Sequence, residues 1–249
     1  MRTSIAILFF SVLLHTVPGL TQENHPVADT HPAFKERVSE RLKMVEGIEN
    51  YPNHPVNSLP VLEAMRHVPR HVFVPEDYRQ EAYRNTPLVI GYNQTISQPF
   101  IVAHMTELLD IKPNHKILEV GTGSGYQAAV LGELCGEVYT IEIVPPLGKR
   151  AQTLLKELGY SNIHVRIGDG YDGWPEAAPF DRIIVTCAPE NIPHPLLDQL
   201  AFGGRIVIPV GKPHQTQYMV VVVKDKNGQI SRKRFYPVRF VPMTGKGSY

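Results

Sequence analysis

Leu118-Glu119-Val120-Gly121-Thr122-Gly123-Ser124-Gly125-Tyr126 is the stretch on which the fold turns. An apolar run ends in three closely spaced glycines and passes into residues 128–134, whose pattern is helical. A strand that opens a helix through a glycine turn is where open α/β sheets hold nucleotide-like ligands. The glycines allow the tight turn and let a ligand approach the backbone. Working outward, short apolar runs recur at 116–120, 138–143, 164–167, 182–186 and 205–210. Helical patterns at 128–134, 147–158 and 195–200 fill most of the gaps. Such alternation implies a mostly parallel sheet covered on both faces. Residues 218–223, 225–228 and 230–241 read as a hairpin, so the sheet closes with antiparallel strands. The expected fold is a doubly wound, Rossmann-like α/β domain.

The spacing within the loop discriminates between cofactors. A dinucleotide fingerprint is G-x-G-x-x-G, with a pyrophosphate on the helix N-terminus. Here the third glycine comes one residue early, at Gly125, and Tyr126 takes the dinucleotide position. Glu142 ends the next run about 20 residues on, where a carboxylate can accept both ribose hydroxyls. Gly168-Asp169-Gly170 follows the third run and offers a carboxylate and a close backbone approach to an adenine amino edge. Loop, acid and Gly-Asp-Gly at three successive strand ends point to S-adenosyl-L-methionine, which has no pyrophosphate. The expected contacts are Glu119, Gly121, Thr122, Gly123, Ser124, Gly125, Glu142, Asp169 and Gly170. After the fourth strand stands Thr186-Cys187-Ala188-Pro189, not the Asn/Asp-Pro-Pro-aromatic run of many nitrogen methyltransferases, which disfavours a nitrogen acceptor.

Upstream, Phe34, Val38, Leu42, Val45 and Ile48 recur at helical spacing and predict one amphipathic helix over 34–48. A second helix is expected over 61–67, stopping at Val68-Pro69. Residues 70–95 read as a long irregular loop, a length that usually serves function. Ile101, Met105, Leu108 and Leu109 predict a helix beginning just after Ser97, which places Ser97 at its N-cap. A helix start presents unpaired N–H groups and a positive dipole end, which attract a carboxylate.

The 249 residues carry a formal net charge of +1, so no global field favours nucleic acid or anionic lipid. Two cysteines, Cys135 and Cys187, support neither a disulfide scaffold nor a cysteine-rich metal site, and they are expected at opposite ends of the sheet. The eleven histidines are scattered, and Pro69 separates His67 from His71, so no metal is expected. Arg2, the apolar run 5–14, Pro18 and Gly19 read as a secretory signal over 1–21, followed by a polar linker over 22–32. The run is too short to span a bilayer. Residues 33–249 then form the catalytic domain, with a helical cap and substrate loop over 33–112 and the cofactor-binding core over 113–249.

Several dense stretches resemble the protein-L-isoaspartate O-methyltransferase family. They include 68–75 (Val-Pro-Arg-His-Val-Phe-Val-Pro), 94–99 (Gln-Thr-Ile-Ser-Gln-Pro), the glycine loop, 173–176, 199–205, 209–211 and Val241-Pro242-Met243-Thr244. The resemblance implies methyl transfer to the free α-carboxylate of L-isoaspartyl residues in damaged proteins or peptides, followed by closure to a succinimide. It implies Ser97 as the catalytic residue, Thr95, Ile96, Ser97 and Gln98 as substrate contacts, and Thr244 as a further cofactor contact. A monomer is expected, without nucleic-acid partners or stable membrane insertion after signal cleavage. Two positions depart from the family pattern: Asn85 stands where Asp is usual, and Val89 where Pro is usual. The leader is also unusual for relatives that mostly work in the cytoplasm, which leaves a cytoplasmic location as the alternative to export. Two rival functions remain at this level, methylation of another carboxylate or small metabolite, and non-catalytic binding of isoaspartyl sites.

Overall fold

A computed structural model describes residues 30–213 and 215–246; the leader read over 1–21 lies outside them. The core is a seven-stranded sheet built from β3 (Lys116–Val120), β4 (Glu137–Glu142), β5 (Ile163–Ile167), β6 (Phe180–Val185), β7 (Leu200–Val210), β8 (Gln217–Lys224) and β9 (Ile230–Val238). Their order is β5-β4-β3-β6-β7-β8-β9; β8 is antiparallel to both of its neighbours, β7 and β9, and all other pairs are parallel. Ile117 to Val120 are all buried, so β3 shows no in-out alternation: Ile117, Leu118 and Val120 are apolar, and Glu119 is buried among them. The chain runs outward from β3 to β5 and then returns to lay β6 on the other side of β3. That reversal opens a crevice at the carboxyl ends of β3 and β6, where such sheets bind ligands. The crossovers carry α4 (Tyr126–Gly132), α5 (Pro145–Glu157) and the short α6 (His194–Asp198). On the outermost strand, Arg232, Lys233 and Arg234 are exposed. Cys135 and Cys187 are both free.

The N-terminal cap departs from the sequence expectation. The single helix expected over 34–48 is a 3-10 turn, Pro32–Lys35, and a separate helix α1, Val38–Glu49. Arg37 between them is left-handed, with φ 48°, and this resets the helical phase. Val38 and Leu42 are consequently 39% and 46% exposed, and α1 buries Arg41, Met44, Val45 and Ile48 instead. Helix α2, Leu59–His67, ends at Val68, which is extended before Pro69 as the chemistry of a pre-proline residue requires. Helix α3 spans Pro99–Leu109 and is buried on most of its circumference.

The supposed irregular stretch holds two 3-10 turns, Arg70–Phe73 and Glu76–Glu81, and a small hairpin of β1 (Leu88–Gly91) and β2 (Gln94–Ile96). Its turn passes through Gly91, Tyr92 and Asn93, all with positive φ. Strands of four and three residues are too short to register as periodicity, so the hairpin was invisible in the sequence. Among the described residues no helix is long and apolar enough to cross a membrane.

Candidate active site

The glycine loop is shaped by its neighbours. Gly121 and Thr122 both donate from their backbone N–H to Ile141 O, at 2.8 and 3.1 Å. Gly121 has φ +99°, and a Cβ there would run into Thr186 Oγ1, which donates to Gly121 O at 2.6 Å. Glycine is therefore the only residue that closes this turn. Gly125, with φ +90°, is the N-cap of α4. Ser124 is buried and its hydroxyl accepts from Tyr126 N at 3.3 Å. Glu142, at the end of β4, staples the loop to the next turn. Its Oε2 accepts from Gly123 N at 2.7 Å and its Oε1 from Val144 N at 2.8 Å.

A cleft of about 550 Å³ opens over these groups. Of the expected cofactor residues, Gly121, Gly123, Glu142, Gly170 and Thr244 line it. Among the described residues no Lys, Arg or His lines it. The remaining expected residues stand outside it. Asp169 accepts from Tyr171 N at 2.9 Å and from Lys246 N at 2.7 Å, so its carboxylate pins the C-terminal segment. Thr122 and Ser124 line a smaller neighbouring cavity with Thr95 and Ser97, and Gly125 caps α4.

Glu119 is fully buried behind the loop. Thr140 Oγ1 donates to its Oε2 at 2.5 Å and also pairs with Thr122 Oγ1 at 2.6 Å, while Glu119 Oε1 has no partner. Burial, reinforced by the nearby Glu142 charge, pushes its pKa up to about 8. At neutral pH this side chain is a carboxylic acid.

A second, larger cavity of about 1280 Å³ lies beside the cleft and shares Thr95, Thr186 and Val241 with it. Thr95, Ser97 and Gln98 line this cavity with the aromatic side chains of Tyr51, Phe100, Tyr236 and Phe240. Ile96 is 4% exposed, turned into the core, and does not line it. Ser97 is not the N-cap expected from the sequence. Pro99 is the first helical residue, because its ring presets φ and its missing N–H is no loss at that position. Gln98 is the cap, and its side chain makes no capping bond. Ser97 stands one residue further out, on the link between β2 and α3, where its hydroxyl is free of capping duty.

The capping bond comes from a distant residue instead. Asn85 Oδ1 accepts from Phe100 N at 3.0 Å, so one departure from the family pattern has a structural task at the start of α3. Val89 is exposed opposite Thr95 in the hairpin, and nothing in the structure accounts for its departure. His104 is buried in α3, stacks on Phe100 and pairs its Nδ1 with Tyr236 OH at 2.6 Å, while burial holds its pKa below the ordinary value. Sequence reading missed Thr186 and Val241 as walls common to both cavities. The strand end after β6 pointed to Thr186 and the family-like stretch 241–244 contained Val241, but neither showed that they form a shared wall.

With this geometry in hand, comparison with known proteins is informative. The sequence model of the family described as protein-L-isoaspartate(D-aspartate) O-methyltransferase matches residues 43–248. A protein-L-isoaspartate O-methyltransferase of Opitutus terrae is 54% identical over 219 residues, covering 88% of this chain and 93% of that protein. One of Gloeobacter violaceus is 58% identical over 189 residues, covering 76% of this chain and 92% of that protein. A solved protein-L-isoaspartate O-methyltransferase superposes with a TM-score of 0.76 at 27% identity, covering 84% of this chain and 67% of that chain.

Proposed function

The chain belongs to the protein-L-isoaspartate(D-aspartate) O-methyltransferase family, and from that premise we propose that it transfers a methyl group from S-adenosyl-L-methionine to the free α-carboxylate of L-isoaspartyl residues in damaged proteins and peptides. The observation that carries the reading is the meeting of the two cavities at Thr95, Thr186 and Val241. A donor in the cleft is open to an acceptor in the larger cavity.

The cleft suits this donor. A sulfonium nucleoside needs close backbone approach and a carboxylate, and it has no phosphate to be met by a cation. Gly121, Gly123, Gly170 and Glu142 supply the first two, and the absence of a basic side chain from the lining matches the third. Glu142 would take the ribose hydroxyls, with Gly170 and Thr244 on the adenine side. When bound, the cofactor supplies an electrophilic methyl group.

The protein's own work is then modest in kind. An α-carboxylate titrates near pKa ~3.5, so the acceptor is already an anion and no general base is required. Ser97 and Thr95 orient the carboxylate along the line of transfer, and the aromatic walls exclude water. Their hydrogen bonds must orient without over-stabilising the ground state, because attraction to the sulfonium fades as charge cancels. The following backbone nitrogen then attacks the methyl ester and expels methanol to close a succinimide, whose hydrolysis returns some normal aspartate.

Methyl transfer from labelled cofactor to paired isoaspartyl and aspartyl versions of one peptide tests the reading. Base-labile label on the isoaspartyl peptide alone is expected; label on neither, with cofactor bound, would turn the search to a different carboxylate. The leader over 1–21 adds export of the mature domain, 33–249, to this proposal. Sequencing the N-terminus of the purified protein checks it, and an intact Met1 refutes it.

A further inference from the structure

Arg70 opens the 3-10 turn Arg70–Phe73 and is 0% exposed, the largest fully buried side chain among the described residues. Among the described residues no carboxylate pairs with it. Its Nε donates to Ala82 O at 2.8 Å and its Nη2 to Ser97 O at 2.8 Å. The guanidinium carbon lies 4.8 Å from the centre of the Tyr126 ring, the first residue of α4. Nη1 is buried with no partner. Desolvation lowers the pKa to about 10, so the group is still charged at neutral pH. A buried cation without a counter-ion is costly, and a neutral donor could hold two carbonyls. The arrangement therefore asks for another reason.

The position of the guanidinium supplies one. Among the described residues no backbone hydrogen bond joins residues 95–98 to residues 121–126. Those two segments carry, respectively, the acceptor contacts and the cofactor loop, with a small cavity between them. Arg70 touches both: its Nη2 grips the Ser97 carbonyl and its guanidinium carbon lies over the Tyr126 ring. A guanidinium can do both because it is planar and carries donors in a fixed fork, whereas a lysine ammonium is a single point.

We propose that Arg70 is a positioning residue for methyl transfer, acting through Ser97: it sets the acceptor segment at its working distance from the cofactor loop. The inference rests on the isoaspartyl reading above. A small misplacement of reacting groups by a residue outside the chemistry can cost on the order of 100-fold in rate, and that is the scale expected here.

The test is a double-mutant cycle on the full chain, with kcat and KM for an isoaspartyl peptide, cofactor affinity by calorimetry and thermal midpoint measured for each variant. Arg70→Lys is expected to lower kcat by about 10- to 100-fold, with peptide KM and cofactor affinity within about threefold. In a Ser97→Ala background the same substitution should cost less than about threefold, because the residue it positions is gone. Additive losses, or an unchanged kcat, overturn the inference. So does a loss that merely follows the fraction of folded enzyme. Should Arg70→Lys not fold, Tyr126→Leu removes the ring beneath the guanidinium and must show the same dependence on Ser97. A wild-type enzyme inactive on the isoaspartyl peptide overturns the functional reading and this inference with it; an active wild type with additive variants overturns the inference alone.

Discussion

The two halves of the site are built in opposite ways. The cofactor cleft is drawn chiefly from strand ends along one edge of the sheet: Gly121 and Gly123 after β3, Glu142 at the end of β4, Gly170 after β5 and Thr186 after β6. The acceptor cavity is assembled from remote pieces: Tyr51 before α2, Thr95 in β2 with Ser97 and Gln98 on the link to α3, and Tyr236 to Val241 at the far end of the chain. A parallel sheet delivers its strand ends to one place whatever their side chains, so a motif read locally stays local in space. The acceptor cavity exists only if the cap, the hairpin and the C-terminal segment dock together. A change in the cleft should therefore act through one turn, and a change in the acceptor cavity through several segments at once.

The largest effect is expected from Gly121→Ala. The new Cβ meets Thr186 and the φ of +99° is strained for any other residue, so cofactor binding should weaken about 100-fold or more, as titration calorimetry will read. Near-native affinity would mean that the loop adapts and that the cleft is less local than argued. Next comes Ser97→Ala, with kcat reduced by about 10- to 100-fold and cofactor affinity unchanged, since Ser97 lines the acceptor cavity and not the cofactor cleft. Equal losses in both would erase the division between the halves.

Glu119 sharpens the comparison on the cofactor side. The folded chain keeps its proton up to about pH 8, whereas an unfolded glutamate loses it near pH ~4.3. Between those values the folded state binds more protons, so this residue makes stability decline as pH rises from about 5 to about 8. Glu119→Gln should flatten that part of the profile, measured as urea midpoints at the two ends. A wild-type profile that does not decline there would mean that Glu119 is ionised in the fold. The smallest effect belongs to the acceptor side: Asn85→Asp retains the acceptor for Phe100 N and adds a charge to the start of α3. It should stabilise by about 0.3–1 kcal/mol at neutral pH. Asn85→Ala should cost about 1 kcal/mol, and a neutral outcome for both would remove Asn85 from the account of α3.

Legibility followed the same divide. The expected strand over 116–120 is β3 to the residue, and the expected hairpin at the C-terminus is β8 and β9. Long runs with one period survive because burial of a whole strand leaves a continuous signature. The expected helix over 34–48 failed at one residue, Arg37, whose left-handed backbone no periodicity announces. Ser97 was expected at the N-cap because apolar spacing locates a helix only to within a residue or two; Pro99 decided the start and made Gln98 the cap.

By itself, then, the sequence determined the doubly wound sheet, the glycine turn and the acids at successive strand ends, because each follows from contiguous residues and local sterics. Only the tertiary structure decided that Glu119 turns away from the cleft, that Asp169 pins the C-terminal segment, that Asn85 caps α3, and that Arg70 reaches Ser97. Those outcomes depend on which distant surfaces pack together and which polar groups they bury. Side-chain direction under packing is set by neighbours far away in the chain, and a pattern of spacing does not carry it.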